Sequence, residues 1–130
     1  MLIGHQSIFE RMKAQAENGT MQHAQLFIGP EHVGKTKLAL ELAIVLQKAD
    51  VVLRKQMMEG VDADTVLLLD EGEGLSIKDI RALIERTHQT HNRPYLVVVI
   101  ENIGRMKAEA MNALLKTLEE PAEGVVFFLT

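Results

Sequence analysis

Residues 29–36 read Gly29-Pro30-Glu31-His32-Val33-Gly34-Lys35-Thr36. Two glycines separated by four residues and followed by Lys and Thr form the spacing of a phosphate-binding loop. A loop with glycine at both ends can turn its backbone N–H groups inward and make a nest for an anion. A helix that starts near Lys35 adds the positive end of its dipole. Lys35 is expected to neutralise the outer phosphates of a nucleotide, ATP or ADP. The Thr36 hydroxyl is expected to hold Mg²⁺, a hard ion that prefers oxygen ligands. His32, in the variable part of the loop, is expected to face solvent.

The flanks support this reading. Residues 24–28 (AQLFI) form a short apolar run before the loop, as a buried strand does. From Thr36 to Lys48 the chain is apolar nearly all round and rich in helix formers, the composition of a buried helix. Further strands are expected at 65–69 (TVLLL), 95–100 (YLVVVI) and 125–129 (VVFFL). Helices are expected over residues 6–18, from Ser76 with Asp79 closing a capping box, and over roughly 107–120 with Ala108, Met111, Leu114, Leu115 and Leu118 inward. Pro121 stops the last of these. Strands that are continuous apolar runs, alternating with helices, belong to a parallel sheet covered on both faces. The expected fold is therefore α/β: a three-layer P-loop NTPase with a parallel sheet flanked by helices. Ligands in such folds sit at the carboxyl ends of the strands.

The bulk composition narrows the function. A chain of 130 residues fits one domain. Its formal net charge of −4 argues against a stand-alone nucleic-acid binder, because phosphate contacts need a basic surface. There is no cysteine, which excludes disulfides and thiolate metal sites and agrees with a reducing cytoplasm. The start, MLIGHQSIFER, lacks the basic-then-apolar pattern of a signal peptide, and no run is long enough to span a membrane. No zinc site is expected. His88 and His91 lie where a helix is ending and are expected to be exposed.

A P-loop ATPase usually carries an acid at the end of a later strand to help hold Mg²⁺, often followed by a Glu that activates water. Two stretches compete for that place. Residues 66–71 (VLLLDE) fit the apolar-apolar-Asp-Glu pattern well, and residues 97–102 (VVVIEN) fit it poorly. Topology favours the poorer match. The second strand is expected at the sheet edge, which would leave Asp70 remote from the phosphates in a solvated acidic turn from Asp70 to Gly74. Glu101 is then the expected metal-binding acid beside Thr36, and Asn102 stands where the catalytic carboxylate would be.

Several stretches together resemble the delta-prime and gamma/tau subunits of the bacterial DNA polymerase III clamp loader, which are AAA+ proteins. Ile3-Gly4-His5-Gln6 resembles the start of that family. His23-Ala24-Gln25-Leu26-Phe27 resembles its entry to the phosphate loop. Asn112-Ala113-Leu114-Leu115-Lys116-Thr117-Leu118-Glu119-Glu120-Pro121 is the most specific match. Residues 126–130 resemble the strand that carries the first nucleotide sensor, at or beside Thr130. The resemblance implies an AAA+ (RecA-like) nucleotide-binding domain over residues 1–130, with a fifth strand, a lid and a collar domain outside this chain. It implies ATP or ADP with Mg²⁺ at Gly29–Thr36, with the backbone of Ile3 and Gly4 near the adenine. It also implies a hetero-oligomeric ring of clamp-loader subunits, a sliding clamp and primed DNA as partners, with Arg105 and Lys107 placed to face DNA in the assembly. On residues alone, those two are as well explained as ordinary surface bases.

Three departures matter. The family's Asp-Glu at the third strand is Glu101-Asn102. Its four-cysteine zinc module is replaced by Lys48–Thr65, without a cysteine. Its arginine-finger motif would lie beyond Thr130. The degenerate acidic strand points to a delta-prime-like subunit with weak or no hydrolysis; the alternative is a hydrolysing gamma/tau-like motor. A small-molecule kinase would need an acceptor pocket and lid arginines, and no such cluster is visible.

Overall fold

The computed structural model describes residues 6–19, 22–27 and 34–130. In chain order the elements are α1 (Gln6–Asn18), β1 (Ala24–Leu26), α2 (Lys35–Leu46), α3 (Val51–Met58), β2 (Thr65–Leu68), α4 (Ile77–Thr87), β3 (Leu96–Ile100), a 3₁₀ turn (Ile103–Arg105), α5 (Ala108–Glu119) and β4 (Val125–Leu129). The four strands pair in parallel in the order β1-β4-β3-β2, so β2 is an edge strand as expected.

Every residue of β3 and β4 is buried. Alternate side chains of these strands feed two separate cores. Val97, Val99, Val126 and Phe128 pack under α1, α2 and α3, with Met12, Leu42 and Met57. Val98, Ile100, Phe127 and Leu129 pack under α4 and α5, with Ile80, Leu83 and Leu114. This is the three-layer arrangement that continuous apolar strands require. Phe27 stacks on Phe128 with ring centroids 6.2 Å apart, tying the end of β1 to β4. Ser76 and Asp79 make the expected reciprocal capping box at the start of α4.

Four details differ from the sequence reading. First, Lys48–Thr65 contains a helix, α3, capped by Asp50 accepting from the Leu53 N–H at 2.8 Å. It buries only Met57 and leaves Val51 and Val52 exposed, so its apolar residues carry no helical period. Second, Ala108 and Leu115 of α5 face outward, because the helix buries Ala110 and Leu114 against the sheet. Third, His91 is half-buried, with Nδ1 2.6 Å from the Arg93 carbonyl, whereas His88 is exposed. Fourth, strand pairing in β1 is assigned only through Leu26; Phe27 still donates to the Leu129 carbonyl at 2.9 Å, and Ile28 lies outside the described residues. No described helix is long and apolar enough to cross a membrane.

Candidate functional site

Parallel strands bring their carboxyl ends to one side of the sheet, and the chemistry-bearing residues gather there. A cleft of about 410 Å³ is lined by Lys35 and Thr36 from α2, Asp70 after β2, Glu101 and Asn102 after β3, and Thr130 after β4. Gly34 caps α2 in the left-handed conformation, φ 80° and ψ 25°, with no side chain in the cap. A side chain at that position would be strained, which explains the glycine immediately before Lys35. Gly29, Pro30, Glu31, His32 and Val33 of the loop, and Ile3 and Gly4, lie outside the described residues.

The Thr36 hydroxyl donates to Glu101 Oε2 at 2.8 Å. The other carboxylate oxygen, Oε1, accepts the Asp70 N–H at 3.2 Å. Glu101 thus bridges the first turn of α2 and the end of β2. A hydroxyl and a carboxylate side by side, at the start of a helix that follows a glycine turn, form a donor set that suits Mg²⁺ bound together with phosphate oxygens. The described residues contain no cluster of three or more His, Cys, Asp or Glu able to hold a metal unaided.

Asp70 is not remote. Its Oδ2 accepts from Asn102 Nδ2 at 2.9 Å and from Arg105 Nη1 at 2.7 Å. Its Oδ1 accepts the N–H groups of Gly72 and Gly74, each at 2.9 Å. The side chain is only 1% exposed, so the solvated-turn reading fails for Asp70, while Glu71, Gly72 and Glu73 of the same turn are exposed as expected. The reason is geometric. β2 is at the sheet edge, but its edge neighbour is β3, and two residues past the last pair Asp70 stands beside the turn that follows β3. The Arg105 guanidinium first, then the Asn102 amide and the two glycine N–H groups, hold its carboxyl far below the usual carboxylate range. Gly74 is required here for a second reason. A Cβ at this position would lie 2.5 Å from the Arg105 carbonyl oxygen, so only glycine lets the β2–α4 loop close on the 3₁₀ turn.

Asn102 has φ 57° and ψ 51°, a left-handed conformation that Asn tolerates better than most residues. Its N–H donates to Thr130 Oγ1 at 3.2 Å, and the Ile103 N–H donates to the Thr130 carbonyl at 2.9 Å. Thr130 is buried and ties the ends of β3 and β4 together. Arg105 is half-exposed and salt-bridged to Asp70 at 2.7 Å, so it lines the cleft instead of standing as a loose surface base. Lys107 is exposed at the start of α5.

Residues 4–130 match the family model described as DNA polymerase III, delta subunit. The chain belongs to that family. Its relatives include the DNA polymerase III subunit tau of Escherichia coli, 28% identical over 98% of this chain and 21% of that protein. The replication factor C small subunit of Methanococcus vannielii is 29% identical over 99% of this chain and 38% of that protein. Among solved structures, a DNA polymerase III gamma subunit-related protein from Thermotoga maritima superposes with a TM-score of 0.73 at 27% identity, over 93% of this chain and 38% of that one. The delta-subunit family chain thus spans between about a fifth and two-fifths of these relatives, and its fold is that of a clamp-loader AAA+ N-terminal domain.

Proposed function

We propose that this chain is the nucleotide-binding domain of a delta-prime-like clamp-loader subunit that binds ATP or ADP with Mg²⁺ and turns it over weakly or not at all. The observation that carries this reading is the bridge from Thr36 to Glu101 at the start of a glycine-capped helix, beside an Asn102 whose amide is bound to Asp70. Gly34 and the first N–H groups of α2 would receive phosphate oxygens, with Lys35 neutralising their charge. Thr36 and Glu101 would hold Mg²⁺, which would neutralise charge on the outer phosphates. Asn102 cannot take up a proton at neutral pH, so the attacking water has no base at this position. Loss of a positioned general base removes roughly 10²- to 10⁴-fold in rate. As the resemblance to clamp-loader subunits implies, the domain would act in the cytoplasm, in a hetero-oligomeric ring with other clamp-loader subunits, a sliding clamp and primed DNA; its relatives are named as subunits of DNA polymerase III and of replication factor C.

A second reading, a hydrolysing gamma/tau-like motor, is favoured by the similarity to the tau subunit. The two separate in one experiment. Nucleotide affinity is measured for the wild type and for Lys35→Ala, and ATP turnover is measured in the assembly with partner subunits and primed DNA. Lys35→Ala should weaken nucleotide binding by roughly 10- to 100-fold, the worth of one charge-assisted contact. Equal affinity in both proteins would sink the nucleotide site. Turnover at the rate of an active motor subunit, assigned to this site by its loss in Lys35→Ala, would establish the second reading.

A further inference from the structure

The outer side of β2 is unoccupied by any described strand. The Val97 N–H donates to the Asp64 carbonyl at 3.0 Å and the Glu101 N–H donates to the Leu68 carbonyl at 2.9 Å. The Asp70 N–H turns the same way, to Glu101 Oε1. Backbone groups alternate in direction along a strand, so the N–H and C=O groups of Leu67 and Leu69 face the open side. Both residues line a groove of about 750 Å³ that runs on past Glu71 and Glu73 to Leu75 and Asp79.

The groove has a definite chemical character. Leu69 is 47% exposed, an apolar side chain left beside open backbone. Among the described residues, no Lys, Arg or His lines the groove. Glu71 and Glu73 are exposed on its rim, and no ion pair among the described residues involves either of them. Asp79 is committed to the capping box with Ser76 but adds its charge to the same wall.

We propose that this edge docks an extended, basic segment of a partner protein as an added strand. Two N–H and two C=O groups of Leu67 and Leu69 would pair with its backbone, an apolar side chain would cover the exposed Leu69, and Lys or Arg side chains would meet Glu71 and Glu73. Main-chain pairing supplies affinity in this mode, and the side-chain contacts supply specificity. Nucleic acid is the wrong charge for an acidic rim. A second copy of this chain, paired edge to edge about a two-fold axis through Leu68, would set Glu71 and Glu73 against the Asp62–Thr65 end of the other β2, which carries no basic residue. The proposal uses no residue of the nucleotide reading except through the shared strand, so either can fail alone.

The probe is a seven-residue peptide of alternating lysine and valine, titrated into ¹⁵N-labelled protein at physiological salt. Saturable shifts centred on Leu67, Leu69 and Gly74 are expected, with at least tenfold slower hydrogen exchange at the Leu67 and Leu69 amides. The exposed double variant Glu71→Lys/Glu73→Lys should bind roughly tenfold more weakly, as two rim ion pairs at the strong end of the exposed range imply. A melting temperature within a degree or two of wild type verifies that this variant is folded. Shifts confined to Glu71 and Glu73 without protection at Leu67 and Leu69, equal affinity in the folded double variant, or absence of saturable shifts would each overturn the proposal. Protection of the same two amides by self-association without peptide would overturn it in favour of a second copy.

Discussion

The ends of β2 and β3 are near neighbours with similar sequences and different fates. One runs Leu67-Leu68-Leu69-Asp70-Glu71 and the other Val98-Val99-Ile100-Glu101-Asn102. The first has the better pattern for a metal-binding acid, yet its carboxylate is consumed by the protein. Four donors from Asn102, Arg105, Gly72 and Gly74 saturate Asp70. Glu101, on the poorer pattern, has one oxygen on the Thr36 hydroxyl and the other on a single N–H, so it is the acid aimed at the first turn of α2. The pattern of a strand end tells where an acid lies in the sheet. Whether its lone pairs are available is set by the donors that the rest of the fold brings up. Here one acid organises the turns around the cleft and the other faces into it.

That division predicts unequal mutants, and the largest effect should be at Asp70. Asp70→Ala removes the acceptor for two side chains and two backbone N–H groups at once, and leaves the Asn102 turn unsupported. A marked fall in melting temperature is expected, together with weaker nucleotide binding through displacement of Glu101 and Asn102. The exposed neighbour gives the scale: Glu71→Ala should stay within about 0.5 kcal/mol of wild type, as surface substitutions do. Indistinguishable thermal unfolding of the two variants would erase the distinction between a saturated acid and a surface one.

Next comes Asn102→Glu, which restores a carboxylate where a catalytic base would stand. The backbone there is left-handed, a conformation that costs an ordinary residue about 1–2 kcal/mol. The new carboxylate also replaces the amide that donates to Asp70, bringing two like charges together. The single variant should therefore be destabilised and gain little turnover. Adding Asp70→Asn removes the repulsion, and the double variant should be more stable than the sum of the single changes. If turnover returns, it should be higher in the double variant than in Asn102→Glu alone. Additive stability effects would show that Asp70 and Asn102 are not coupled.

Much of the scaffold was legible because it obeys short-range rules. The continuous apolar runs of β3 and β4, the all-round apolar α2 and the Ser76–Asp79 capping box each carry their cause within a few residues. Helix α3 was not legible, since Val51 is 84% and Val52 66% exposed and the segment lacks a buried stripe. In the cleft, glycine and GKT spacing singled out Gly34, Lys35 and Thr36, and strand-end reasoning singled out Glu101 and Asn102. Strand-end reasoning does not reach Asp70, although its own sequence holds a clue. The alternating glycines of Asp70-Glu71-Gly72-Glu73-Gly74 are what a carboxylate needs to accept its own downstream N–H groups. The other half of its environment, Asn102 and Arg105, comes from 32 and 35 positions away and depends on β2 lying directly against β3.

The smallest effect is a variation with pH, and it is diagnostic of the comparison because that variation should be nearly absent over most of the range. Arg105, Asn102 and the glycine N–H groups lower the folded-state pKa of Asp70, while an unfolded Asp titrates near about 3.9. A depressed carboxylate contributes stability that is fully present above its unfolded pKa. That stability is lost as pH falls, because the unfolded chain takes up the proton first. The difference in melting temperature between wild type and Asp70→Asn should therefore be constant from pH 8 to about 5, and should shrink only below about 4. Erosion of the Asp70 difference already between pH 7 and 5 would mean that its carboxylate is protonated there in the folded protein. The four donors would then not hold it in solution, and the β2 end would be the solvated turn that its sequence first suggests.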